Sequence, residues 1–67
     1  MNIDKLKGKF VENKKNVSTI AKEIGMSRSK LYRKLNKPEL ITIADAQKIK
    51  AAVPLSDTEA YEIFLAE

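Results

Sequence analysis

Arg28, Ser29 and Arg33 are the side chains of this 67-residue chain best suited to recognising another molecule. A guanidinium presents paired N–H donors that match the O6 and N7 acceptors of guanine, and a serine hydroxyl can donate or accept. Arg33 lies one turn after Arg28 and Ser29, on the side opposite Leu31 and Leu35, so a helix through this segment points all three away from its apolar stripe. Lys30 and Lys34 are suited to phosphate oxygens or simply to solvent, and Tyr32 is expected to pack on the flank between the two faces. Bond-making chemistry is not expected. The chain has no cysteine and no histidine, which excludes Ser/His/Asp and Cys/His constellations, thiolate metal sites and disulfides. No glycine-rich phosphate loop is present and the carboxylates are scattered along helix ends, so neither an enzyme nor a cofactor or metal is predicted.

The elements that position these side chains are legible in VSTIAKEIGMSRSKLYRKL, residues 17–35. Ile20, Ala21 and Ile24 recur at helical intervals, Gly25 breaks the pattern, and Leu31 and Leu35 resume it four residues apart. Two short helices with a shared apolar seam and a tight turn between them are the sequence form of a helix-turn-helix DNA reader. Gly25 is expected to take the left-handed conformation that ends the first helix of the pair, and Ser27 to cap the second. Met26 and Leu31 then occupy staple positions, and the small Ala21 allows close approach of the two helices.

Five helices and no strands are expected in all. The first spans about residues 4–13, with Ile3, Leu6, Phe10 and Val11 inward, and the second begins after Asn16. The third ends near Asn36, expected as a left-handed C′ residue ahead of Pro38, and residues 37–41 should be an extended connection. Thr42 opens the fourth, with Asp45 in its first turn and Ile43, Ala46, Ile49, Ala52 and Val53 on its buried side, up to Pro54. Ser56 and Glu59 form a capping box for the fifth, which carries Ala60, Tyr61, Ile63, Phe64 and Leu65. The consecutive Ile63, Phe64 and Leu65 point in three directions, so this apolar end is expected either as a dimer contact or as a last turn that lids the core with one residue left partly exposed.

Sixty-seven residues make one domain, which buries only about 60% of its unfolded surface. The net charge is +4, but it is unevenly distributed. Residues 1–37 hold eleven Lys or Arg against three acids, a balance of +8, whereas residues 38–67 stand at −4. A polyanion is the natural partner of the first half, with the second half facing away from it. Phosphate contacts are expected from Lys14, Lys15, Ser27, Lys30, Lys34 and Thr42, and from the free N–H groups of Val17 and Ser18. Lys5 and Lys9, four apart on the first helix, are open to the same use or to solvation. No signal-peptide or bilayer-spanning stretch is read in the sequence, and a cytoplasmic location is expected.

The run Ile20-Ala21-Lys22-Glu23-Ile24-Gly25-Met26-Ser27-Arg28-Ser29, followed by Leu31, resembles the helix-turn-helix core of lambda-type repressors and Cro-like phage regulators of the XRE class. The resemblance covers nearly the full chain. It implies a compact all-α, five-helix lambda-repressor-like domain with helices two and three as the helix-turn-helix, acting as a transcriptional repressor on operator DNA. That family often carries glutamine, as a phosphate clamp, where Val17 stands, so here the clamp falls to backbone N–H groups or nearby lysines. A weak homodimer assembled on double-stranded DNA is the expected working form. The alternative is a modulator that binds another repressor through its apolar C-terminal helix.

Overall fold

Every helix begins at a polar side chain that accepts a hydrogen bond from the backbone N–H three residues on. The computed structural model describes residues 1–65, which form α1 (Ile3–Glu12), α2 (Val17–Glu23), α3 (Arg28–Asn36), a 3-10 turn (Pro38–Leu40), α4 (Ile43–Ala52) and α5 (Asp57–Phe64). The caps are Asn2, Asn16, Ser27, Thr42 and Ser56, with bonds of 2.8 to 3.1 Å. Thr42 and Ser56 belong to full capping boxes, since the carboxylates of Asp45 and Glu59 accept in return from the cap N–H groups. Each such cap satisfies donors that the first turn leaves without partners, at about 1 kcal/mol.

The helix ends are equally specific. After α2, Gly25 has φ +71°, Gly25 N–H donates to Lys22 at 3.3 Å and Met26 N–H to Ala21 at 2.9 Å, the paired bonds of a Schellman motif. The expected left-handed glycine is therefore present. The same motif closes α1 without a glycine: Lys14 has φ 56°, and Lys14 and Lys15 N–H reach back to Val11 and Phe10. Asn36, expected as a left-handed residue, instead completes α3, and Lys37 takes the cap with φ −129°. Residues 37–41 likewise differ from the extended connection expected, because Pro38 starts a 3-10 turn in which Ile41 N–H bonds Pro38 carbonyl. Proline fits this position, having no N–H to satisfy at the start of a turn.

Leu6, Phe10, Ile20, Ala21, Leu31, Leu35, Ile49, Val53, Leu55 and Ile63 form one core contributed by all five helices and the α4–α5 connection. Ile3, Val17, Ile24, Met26, Ala52, Ala60 and Phe64 pack around it, so the staple residue Met26 joins the core edge beside buried Leu31. The radius of gyration, 10.6 Å, is close to the ~10.9 Å expected of a compact chain of this length. Two assignments to the core need correction. Ile43 is 80% exposed because it opens α4 on the outer side, and Val11 lies on the solvent face of α1. Tyr61 and Leu65 of α5 are exposed, for Leu65 in line with its expected place at a surface contact, while Leu55, which follows Pro54 and lies outside the expected core, fills the space under the α4–α5 connection.

Ion pairs tie the basic first half to the acidic second half. Lys5 pairs with Glu62 and Lys9 with Glu59, joining α1 to α5, and Asn2 N–H donates to the Ile63 carbonyl at 2.7 Å between them. Lys9 also bonds Glu12 at 3.0 Å. The Lys9 ammonium, followed by the Ser56 amide, pulls the Glu59 carboxyl down to about 2. Part of the charge split is thus neutralised within the fold, and Lys5 and Lys9 are stitches between helices. No helix among the described residues is long and apolar enough to cross a membrane.

Candidate functional site

Leu31 and Leu35 anchor α3 in the core, and this leaves its opposite side free. Arg28, Ser29, Tyr32, Arg33, Asn36 and Lys37 line one shallow furrow there. Their numbering explains the grouping: 28, 32 and 36 form one row four apart, and 29, 33 and 37 form the next. Ser29 and Arg33 also flank a second hollow with Lys30, Lys34 and Leu40, on the side of the 3-10 turn. The three side chains expected to contact bases therefore share one exposed surface.

Three further residues belong with them. Tyr32 is 43% exposed on the flank of α3, and the Arg28 guanidinium lies over its ring, 5.4 Å from the centroid. Asn36 and Lys37 complete the two rows. The four-residue spacing from Arg28 and Ser29 carries the signal for all three, and at Asn36 and Lys37 it competes with the helix-stop signal of Asn36 and Pro38.

The surface is electrically one-sided. No acidic residue occurs between Ser27 and Lys37, and among the described residues Arg28, Lys30, Arg33 and Lys37 form no ion pair. Lys34 differs from its neighbours. It pairs with Asp45 at the start of α4, and only 14% of its side chain is exposed, so it is neither solvated nor free to extend. Burial pushes the Asp45 carboxyl upward, but the Lys34 ammonium and the Thr42 amide and hydroxyl outweigh this and hold it below the usual carboxylate range. That arrangement fixes the entry of α4 against the last turn of α3.

The residues expected to frame the site are less uniform. Lys15 Nζ bonds the Ala52 carbonyl at 2.6 Å and Glu23 at 3.1 Å, which turns it toward the C-terminal end of α4. Lys14 is exposed and forms no ion pair among the described residues. The side chain of Val17 packs inward, whereas Ser18 is exposed in the first turn of α2. Ser27 and Thr42 are exposed, their hydroxyls accepting the cap bonds of α3 and α4.

A separate apolar furrow runs between α4 and α5, lined by Ile43, Ala46, Ala60, Tyr61, Phe64 and Leu65, with Lys50 and Asp57 paired at its edge. Ile63, grouped with Phe64 and Leu65 as a surface contact, is fully buried and turned to the core. Its place on the outer surface is taken by Ile43 and Tyr61. The sign of this error is the 3.6-residue period itself, which sets 61 and 65 on one side of α5 and 63 on the other.

Compared with known proteins, the chain matches no protein-family model, no curated protein and no solved structure.

Proposed function

We propose that the chain is a sequence-specific double-stranded-DNA-binding regulator in which α2, the turn at Gly25 and α3 act as a helix-turn-helix, with α3 in the major groove. The observation that carries this reading is the outer face of α3, where Arg28, Lys30, Arg33 and Lys37 form no ion pair among the described residues and stand beside Ser29, Tyr32 and Asn36, with no carboxylate on the helix. Such a face is attracted to a polyanion and supplies donors for base edges. Arg28, Ser29 and Arg33 read bases, Asn36 adds a side chain able to pair with adenine, and Lys30 and Lys37 meet phosphates, together with Ser27 and the Lys14 side chain.

Occupation of operator DNA makes the protein a repressor, and two copies meet through the α4–α5 furrow on a two-fold site. Titration of the chain against a random duplex pool at increasing salt tests the reading: affinity should fall steeply between about 50 and 200 mM salt. No binding at low salt rejects it and favours a protein partner, such as another repressor, on the α4–α5 furrow.

A further inference from the structure

Arg28 and Tyr32 are four residues apart on α3, and the guanidinium lies over the tyrosine ring at 5.4 Å from its centroid. Helical side chains lean toward the N-terminus, so Tyr32 reaches back over the turn that carries Arg28. No carboxylate among the described residues pairs with Arg28, and the ring is thus the group that restrains it. A guanidinium attracted to a ring face keeps N–H groups available for a second partner, unlike one held by a bidentate carboxylate. An arginine otherwise carries many rotamers into any contact, and each must be restricted when it binds.

We propose that Tyr32 is a positioning residue that holds Arg28 ready for a guanine edge, and so sets specificity at the base pair Arg28 meets. This rests on the reading of α3 as the helix in the major groove. Tyr32 acts through its aromatic face, and its hydroxyl is dispensable.

The experiment compares Tyr32→Phe, Tyr32→Leu, Arg28→Ala and the Arg28→Ala/Tyr32→Leu double variant. Each is titrated against the duplex selected by the unaltered chain and against one with the guanine–cytosine pair met by Arg28 replaced. Proton NMR of the free proteins measures the ring-current displacement of the Arg28 δ protons. Tyr32→Phe should retain both that displacement and the affinity. Tyr32→Leu should lose the displacement and bind the selected duplex about two- to fivefold more weakly, the scale of an exposed cation–π contact. It should not change binding to the replaced duplex, and the double variant should bind as Arg28→Ala alone. Multiplying losses in the double variant, or equal losses for Phe and Leu, overturn the proposal while leaving DNA binding in place. If the unaltered chain binds no duplex at low salt, the groove reading and this proposal fall together.

Discussion

The ammonium of Lys34 donates to Oδ2 of Asp45, so a cation in the last turn of α3 closes over the first turn of α4. Asp45 at the same time accepts from the Thr42 N–H at 3.1 Å, and its own N–H bonds the Thr42 hydroxyl at 3.0 Å. One carboxylate therefore caps α4 and orients it against α3. Asp45→Ala should cost about 2 kcal/mol through loss of both contacts, measured by urea denaturation. Lys34→Gln should also destabilise the protein, and change the salt dependence of DNA binding less than Lys30→Gln does. Unchanged stability in both variants at position 34 and 45 would show that the pair does not hold the two helices.

The acid limit of stability follows from the same kind of contact. Asp45, Asp57 and Glu59 all have carboxyls held below their ordinary values, Glu59 at about 2. A carboxyl with a lowered pKa in the folded state contributes stability that is complete above its unfolded value and lost as pH falls through the folded one. Thermal melts should thus be stable down to about pH 5 and decline progressively toward pH 2. Glu59→Gln should make that decline shallower, and a flat profile in the unaltered protein would contradict these pairings.

Two left-handed residues in equivalent Schellman turns give opposite expectations. Gly25 has φ +71° and no neighbour within 4 Å of an added Cβ, so the cost of Gly25→Val comes from the backbone and should exceed about 1 kcal/mol. Lys14 already bears that strain at φ 56°, and Lys14→Gly should stabilise by about 0.5–1 kcal/mol. Ala21→Leu, in the buried seam beside the first turn, should destabilise by about 1–3 kcal/mol through overpacking. Melting temperatures check all three.

On DNA, Arg28→Ala and Arg33→Ala should each cost about 1 to 3 kcal/mol on the preferred duplex and relax discrimination at one base pair. Lys14→Gln and Lys30→Gln should weaken all duplexes alike and lower the salt slope. Lys15 is held by Glu23 and the Ala52 carbonyl, and Lys15→Gln should instead lower thermal stability. Retained preference and affinity in Arg33→Ala would remove it from the reading set.

Assembly should depend on the side of α4 and α5 away from the core. Leu65 is 71% exposed and Ile43 80%, so Leu65→Lys and Ile43→Lys leave the core intact while charging the furrow between the helices. Both should abolish cooperative filling of a two-fold duplex, with half-sites about 34 Å apart, while preserving binding to a single half-site. Small as this furrow is, the free protein should sediment as a monomer at micromolar concentration. Cooperative filling by both variants would place the contact elsewhere.

Local signals in the chain were enough for the five helices, the N-terminal caps at Asn16, Ser27, Thr42 and Ser56, the glycine turn and the outward direction of Arg28, Ser29 and Arg33. Each of these depends on residues within about four positions of one another: a serine and its N3 amide, a glycine after a helical stripe, a pair of leucines one turn apart. Contacts across the fold were decided only by tertiary structure. Lys34 and Lys30 are indistinguishable in the sequence, yet Asp45 lies within reach of one and not the other because α4 returns beside the last turn of α3. Lys5 and Lys9 likewise needed α5 beside them to become stitches. The inward turn of Ile63, the outward turn of Ile43 and the burial of Leu55 depend on how two helices on either side of Pro54 pack, since hydrophobicity ranks a side chain without stating which neighbour will cover it.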